Sequence, residues 1–215
     1  MRKPNLFLVG APKAGSTFLW TILKEHKDIF FSTNPEKEIN YFSFDELRSN
    51  SYYKDYKISN EKEYLNVFKN GQSVKYLADG SVSYFAYPSL PKKLYEFNSE
   101  AKIVVIVRDP ISRAFSHYNM DKRMGYATES FSDYLINKGN TYDKFIHQYI
   151  ENSLYYKHVK NYLEYFGENQ VCVLQLEQID IDIERLYDFL DIEKYEFTNN
   201  YVKINANKEP RNIIS

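Results

Sequence analysis

"LFLVGAPKAGSTFLW", Leu6 to Trp20, decides how the rest of the chain is read. Leu6–Val9 is a short, unbroken apolar run of strand length. A loop bounded by Gly10 and Gly15 follows, and from Ser16 the apolar residues recur at helical spacing. Strand, glycine-bounded loop and helix make up the layout of a loop that holds a phosphate, because the open N–H groups and positive dipole at a helix start favour an anion. Gly10 and Gly15 permit conformations that turn successive N–H groups inward. Lys13 adds a full charge from the loop, and Ser16 and Thr17 add hydroxyls. The spacing G-x-x-x-x-G of nucleotide hydrolases is met, yet Ser16 stands where their lysine follows the second glycine, so this is not a Walker A loop. The alternative, a plain glycine turn into a capped helix, is disfavoured by the joint presence of Lys13, Ser16 and Thr17.

A second stretch, "IVVIVRDPISRAFSHYNM" from Ile103 to Met120, repeats the layout. Arg108 leaves the end of a strand-like run, and Pro110 suits the first turn of a helix. Arginine is the side chain for bidentate phosphate recognition. A helix starting near Pro110 lines up Arg113, Ser116 and Met120 at i, i+3 and i+7, which lets Ser116 lie near Arg108 and offer a hydroxyl to the same anion. The competing reading is that Asp109 caps the helix and Arg108 pairs with a carboxylate. Two anion loops on neighbouring strand ends suggest a nucleotide carrying phosphates at both ends of its sugar.

Strand-like runs at Leu6–Val9, Val74–Ala78, Lys102–Val107 and Val171–Leu176 alternate with helical spacing at Ser16–His26, Pro91–Phe97, Ile111–Arg123, Ser153–Phe166 and Ile183–Leu190. Short β-branched runs such as "KIVVIV" fit strands covered on both faces, and the alternation predicts an α/β fold with a central parallel sheet flanked by helices. Ligands of such sheets sit beyond the carboxyl ends of the strands, where both loops fall. No repeat, low-complexity tract or linker divides the chain, so residues 1–215 read as one domain.

Lys plus Arg (28) nearly balance Asp plus Glu (29), so no bulk charge points to nucleic acid or an acidic membrane, and an anion site has to be built locally. The 21 tyrosines give apolar area with a hydrogen-bonding tip, which suits grooves for sugars or planar rings; a tyrosine-rich core and surface is the other reading. Cys172 lies in the apolar "VCVLQL" and reads as a buried hydrophobe. One cysteine and four histidines argue against a structural zinc site. No apolar run nears the roughly 20 residues of a membrane span, and the apolar core of "MRKPNLFLVGAP" is too short for a signal peptide, so the expected location is cytoplasmic.

"PKAGSTFLW" resembles the 5'-phosphosulfate loop, and "VRDPISRAFSHY" the 3'-phosphate motif, of sulfotransferases that use 3'-phosphoadenosine 5'-phosphosulfate (PAPS). "NPEKEINYFS" is similar to the K-E-x-H-[FY]-F segment of the heparan-sulfate type, "ADGSVSYF" to its E-K-[ST]-P-x-Y-F segment, and "VLQLEQIDIDIERLYDFLDIE" to the strand, acidic loop and helix that end that fold. The resemblance implies a P-loop-like three-layer fold with Lys13, Ala14, Gly15, Ser16 and Thr17 on the 5'-phosphosulfate and Arg108 and Ser116 on the 3'-phosphate. It implies Glu38 as general base, no metal, and PAPS as co-substrate. Asn40 stands where those enzymes have a histidine beside the acceptor, and Gly80 where they have a lysine, so heparan sulfate itself does not follow. In the tail "NANKEPRN", Lys208 and Arg211 resemble the basic segment that folds over the 3'-phosphate.

Sulfuryl transfer is an in-line displacement in which positioning and charge stabilisation dominate. The attacking hydroxyl loses a proton, which Glu38 can take, and charge gathers on the leaving phosphate, where Lys13 can offset it. The expected reaction is sulfation of a hydroxyl, of a carbohydrate before a small alcohol, phenol or amine. The alternatives are a PAPS-binding protein without catalysis and a P-loop kinase, which Ser16 opposes. Lys37 is open between ligand contact and solvation, and His117 reads as a packing histidine. His26 reads as a helix C-terminal residue complementing the dipole, and Glu177 as a cap for the following segment in preference to a residue that orients the nucleotide loop. Asp45–Asn70 and Ala127–Asn152 read as acceptor loops without a diagnostic pattern.

Overall fold

Strands Leu6–Gly10 (β1), Ile29–Phe31 (β2), Tyr76–Asp79 (β3), Lys102–Val107 (β4) and Val171–Gln175 (β5) form one parallel sheet in the order β2-β3-β1-β4-β5. The structure is a computed structural model and describes residues 1–32, 34–50, 53, 57–137 and 139–195. Its helices are Ser16–Leu23 (α1), Phe44–Asn50 (α2), Glu61–Asn66 (α3), Leu90–Phe97 (α4), Pro110–Arg123 (α5), Phe131–Ile136 (α6), Asn140–Tyr149 (α7), Tyr155–Phe166 (α8) and Ile179–Leu190 (α9).

Side chains alternate along each strand and divide the core in two. Leu6, Leu8, Val104 and Ile106 face α1 and α9, where Leu19, Ile22, Ile183, Leu186 and Leu190 close over them. Phe7, Val9, Ile103 and Val105 face the other way, against Leu90 and Leu94 of α4 and Tyr162 and Phe166 of α8. The result is the expected three-layer arrangement, and each fully buried side chain of this size contributes about 1.5–3 kcal/mol. A third cluster, Ala114, Tyr118, Tyr134, Phe145 and Tyr149, joins α5, α6 and α7, with the Tyr134 and Phe145 rings 4.3 Å apart. Much of the tyrosine excess is therefore packing.

Several boundaries differ from the sequence reading. Segment 45–70 holds most of α2 and all of α3, and segment 127–152 holds α6 and α7, where loops were expected. Asn60 caps α3 by accepting the Glu63 N–H (2.9 Å), and Ser130 with Asp133 closes a capping box on α6. The three-residue edge strand β2 has too little sequence to show a period. Helix α9 starts at Ile179, four residues earlier than its apolar spacing suggests. Helix α1 stops at Leu23, where the chain tightens and His26 N–H reaches the Leu23 carbonyl (3.2 Å). His26 is buried, with Nε2 donating to the Glu193 carbonyl (2.8 Å) and Nδ1 accepting the Asp28 N–H (3.1 Å). It therefore pins the α1–β2 turn to the segment after α9 and does not complement a dipole. Among the described residues no helix is long and apolar enough to cross a membrane.

Gly10 ends β1 at φ 152°, and a Cβ there would lie 2.5 Å from Phe85 Cβ and 3.4 Å from the Val82 carbonyl oxygen. Gly10→Ala is expected to cost about 2–3 kcal/mol through overpacking and backbone strain, read from the midpoint of urea unfolding. An unchanged midpoint would show that the Val82–Phe85 turn does not press on β1.

Candidate active site

Parallel strands bring all their carboxyl ends to one edge, and β1 is where the connections part, toward β3 and β2 on one side and β4 and β5 on the other. The first loop leaves that point. Ala11 N–H donates to the Ile106 carbonyl of β4 (2.7 Å) and Ala14 N–H to the Ala11 carbonyl (3.2 Å), which folds residues 11–14 into a tight cradle. Lys13 has φ 65°, a left-handed conformation that side chains disfavour. Gly15 has φ 100°, and a Cβ on it would sit 2.7 Å from Leu176 Cδ1. The first helical bond of α1, Leu19 N–H to the Gly15 carbonyl (3.0 Å), leaves the amides of its first turn at the positive end. Ala14 and Ser16 are buried and Thr17 is exposed.

Burial lowers the pKa of the Lys13 ammonium from its ordinary value, and Arg123, Lys37 and Arg108 push it the same way while Asp121 opposes them. Four cationic side chains thus share one small region. Arg123 and Asp121 were not singled out in the sequence. The available signal was the i, i+4, i+8 series Arg113, His117, Asp121, a polar stripe on the buried face of α5.

Lys37, left open by the sequence, belongs to this region. Its Nζ lies 3.4 Å from Ser16 Oγ, 3.3 Å from Thr17 Oγ1 and 2.9 Å from Glu38 Oε1. One ammonium therefore joins the hydroxyls of the first loop to the Glu38 carboxylate. Glu38 Oε2 accepts the Val82 N–H (3.0 Å), and the Glu38 N–H donates to the Gly80 carbonyl (3.2 Å).

In the second loop the capping part of the competing reading holds. Asp109 caps α5, accepting the Ser112 N–H (2.7 Å), with Pro110 as the first helical residue. Arg108 is half-buried close enough to Lys13 to act on its charge, and Ser116 is half-buried on α5. Rather than capping the following segment, Glu177 accepts the Asp109 N–H on Oε1 (2.9 Å) and latches the second loop to the end of β5. Arg113 is fully buried and donates to Pro12 O (3.3 Å), Ser153 Oγ (2.6 Å), Gln148 O (2.5 Å), Tyr149 O (2.9 Å) and His117 Nδ1 (3.2 Å), so it ties the first loop to α5 and α7. His117 Nε2 meets the Tyr53 hydroxyl (2.8 Å); burial, then Arg113 and Lys13, hold this imidazole well below its ordinary pKa and therefore neutral. Lys208 and Arg211 lie outside the described residues.

Asn40 is buried at φ 58°, and its Oδ1 accepts from the Ser83 hydroxyl (2.6 Å), so its amide is engaged in the wall of the loop. A Cβ on Gly80 would lie 3.4 Å from Trp20 and 3.5 Å from Lys37 Cγ, so the stem of Lys37 runs past this position. Behind it, Asp79 is fully buried and accepts from Ser81 Oγ (2.6 Å), Tyr84 OH (2.9 Å) and Tyr64 OH (3.0 Å). Burial pushes its carboxyl up to about 6, with Glu38 adding to the rise and the three hydroxyls opposing it.

Residues 3–212 match the sulfotransferase domain family, and the chain belongs to it. A sulfotransferase crystal structure from Alicyclobacillus acidocaldarius superposes with a TM-score of 0.80 at 28% identity, covering 94% of this chain and 89% of that one. The bifunctional heparan sulfate N-deacetylase/N-sulfotransferase 1 of Caenorhabditis elegans is 24% identical over 95% of this chain and 24% of its own length. The mouse heparan sulfate glucosamine 3-O-sulfotransferase 5 is 24% identical over 82% of this chain and 49% of its own length. The chain thus spans about a quarter to a half of the length of these curated relatives.

The raised Asp79 pKa sets a pH dependence. The folded state holds the proton more tightly than an unfolded aspartate near 3.8, so this group's contribution to stability falls as pH rises from about 4 to about 6. Asp79→Asn lacks that titration. Its stability relative to wild type is expected to rise across this window by up to ~3 kcal/mol and then level off. Urea unfolding at pH 4, 5, 6 and 7 measures it, and a difference that stays flat with pH would contradict it.

Proposed function

We propose that the protein transfers a sulfuryl group from PAPS to a hydroxyl of a carbohydrate acceptor, with Glu38 as general base and Lys13 offsetting charge on the leaving phosphate. The observation that carries this reading is the bridge made by Lys37, which puts a carboxylate and the hydroxyls of the first loop on one ammonium. The donor set suits the nucleotide. Burial and the charges of Arg123, Lys37 and Arg108 lower the affinity of Lys13 for its proton, a cost that an anion among them offsets, and the first turn of α1 adds oriented N–H groups.

Lys13, Ala14, Gly15, Ser16 and Thr17 are the residues to hold the 5' end, and Arg108 and Ser116 the 3'-phosphate. When bound, PAPS supplies the sulfuryl group that is transferred. Glu38 accepts the proton of the attacking hydroxyl, held for that task by the Val82 N–H on one oxygen and Lys37 on the other. Lys13, fixed by the strained backbone of its loop, faces the charge that develops opposite the nucleophile. The Glu177 latch keeps Arg108 in register with the first loop. The carbohydrate acceptor is supported by the "KEINYF" segment and by relatives named as heparan sulfate enzymes; Asn40, engaged within its own loop, and Gly80 point to an acceptor other than heparan sulfate itself.

Titration calorimetry with adenosine 3',5'-bisphosphate tests the donor site. Wild type is expected to bind without metal and in preference to ATP–Mg²⁺, and Arg108→Ala to bind about tenfold to a hundredfold more weakly, the loss of charged hydrogen bonds. Glu38→Gln is expected to keep bisphosphate affinity within about twofold and lose about 10²–10⁴ in kcat. Acceptors are then screened with labelled PAPS against oligosaccharides and small phenols. Preference for ATP–Mg²⁺, or indifference to Arg108, would overturn the donor assignment. Bisphosphate binding with no turnover on any acceptor would favour a nucleotide-binding protein without catalysis.

A further inference from the structure

Segment 38–42 carries Glu38 on a backbone with two non-glycine residues in the left-handed region, Glu38 at φ 57° and Asn40 at φ 58°. Side chains disfavour that region, so groups outside the segment must hold it there. The bonds that do so run back to the carboxyl end of β3. Gly80 and Val82 take the Glu38 N–H and one of its carboxylate oxygens, at 3.2 and 3.0 Å. The next two amides are held through hydroxyls. Ser81 Oγ accepts the Asn40 N–H (3.0 Å) and gives its own proton to Asp79 Oδ1 (2.6 Å). Tyr84 OH accepts the Phe42 N–H (3.4 Å) and gives its proton to Asp79 Oδ2 (2.9 Å). Tyr64 of α3 donates to the same Oδ2 (3.0 Å).

A hydroxyl has one proton, and once that proton is committed its lone pairs are the part left for an amide. An ionised carboxylate only accepts, so Asp79 commits the protons of Ser81 and Tyr84 together and turns both oxygens toward the amides of the segment. An apolar residue at 79 would leave both hydroxyls free to rotate, and an amide would put N–H donors where one carboxylate oxygen accepts, forcing a relay to turn round. Among the described residues, no other carboxylate of the site is tied to the backbone of the base in this way. We propose that Asp79 is a positioning residue for Glu38: through Ser81 and Tyr84 its two oxygens hold the backbone from which the Glu38 carboxylate reaches the acceptor hydroxyl. The inference rests on the reading of Glu38 as the base.

The test is amide hydrogen exchange on the full chain, with bisphosphate titration and turnover of labelled PAPS on a panel of unsulfated oligosaccharides of differing backbone. In Asp79→Asn the amides of Asn40 and Phe42 are expected to exchange at least tenfold faster, with those of β1 and β4 unchanged and bisphosphate affinity within twofold. The kcat is expected to fall at least tenfold, and the same substitution to cost nothing further in a Glu38→Gln background. Should Asp79→Asn fail to fold, Ser81→Ala is expected to speed exchange at Asn40 alone and Tyr84→Phe at Phe42 alone. Unchanged exchange at both amides, or a kcat loss that adds in full to that of Glu38→Gln, overturns the proposal. Full turnover by Glu38→Gln, or no sulfation of any oligosaccharide of the panel by wild type, instead counts against the base or the carbohydrate assignment, and the exchange arm still decides whether Asp79 orders the segment.

Discussion

Repulsion among like charges is the constraint that shapes this protein. Lys13 has Arg123, Lys37 and Arg108 near enough to lower its pKa, in a chain whose formal net charge is −1. Coulomb repulsion between cations a few ångströms apart is worth about 1 kcal/mol in water and several times that at a half-buried site. Such a cluster persists only where other contacts fix each member, and much of what surrounds the carboxyl edge of the sheet does so.

The fixing is done largely by groups that never reach the open side of the site. Arg113 looks in the sequence like one more cation for a phosphate. It is instead fully buried, satisfied by three backbone carbonyls, a serine and a histidine, and it connects the first loop to α5 and α7. Asp121, also buried, accepts hydrogen bonds from Tyr53 and from Tyr149 (2.7 Å), and its negative charge opposes the lowering of the Lys13 pKa. On the far side Glu177 joins the second loop to β5. A buried charge truncated on one side leaves its partner unsatisfied, so Arg113 and Asp121 tolerate little change.

The alternation of strand and helix was legible because β1 and β4 are buried on both faces and therefore read as unbroken apolar runs. The two loops were legible as strand-to-helix turns because Gly10 and Gly15 bound the first and Asp109 and Pro110 open the helix after the second. Helices α2, α3, α6 and α7 were missed through attention to apolar period alone, since helices of six to ten residues barely complete one. Their caps, Asn60 before Glu63 and Ser130 before Asp133, were written in the sequence. Lys37 was ambiguous for another reason. A lysine in "NPEKE" is as often solvated as not, and only the fold brings residue 37 to the start of α1. Glu177 and Asp79 act through contacts at long sequence separation, for which a single sequence holds no local signal.

An ammonium group has three protons to donate, and that of Lys37 has Ser16, Thr17 and Glu38 as its partners. An anion on the first loop would share this cation with Glu38. Occupancy of the loop and the electrostatic setting of the carboxylate are therefore linked variables, and linkage is reciprocal. The hydroxyls of the first loop and the Glu38 carboxylate meet at a single nitrogen atom.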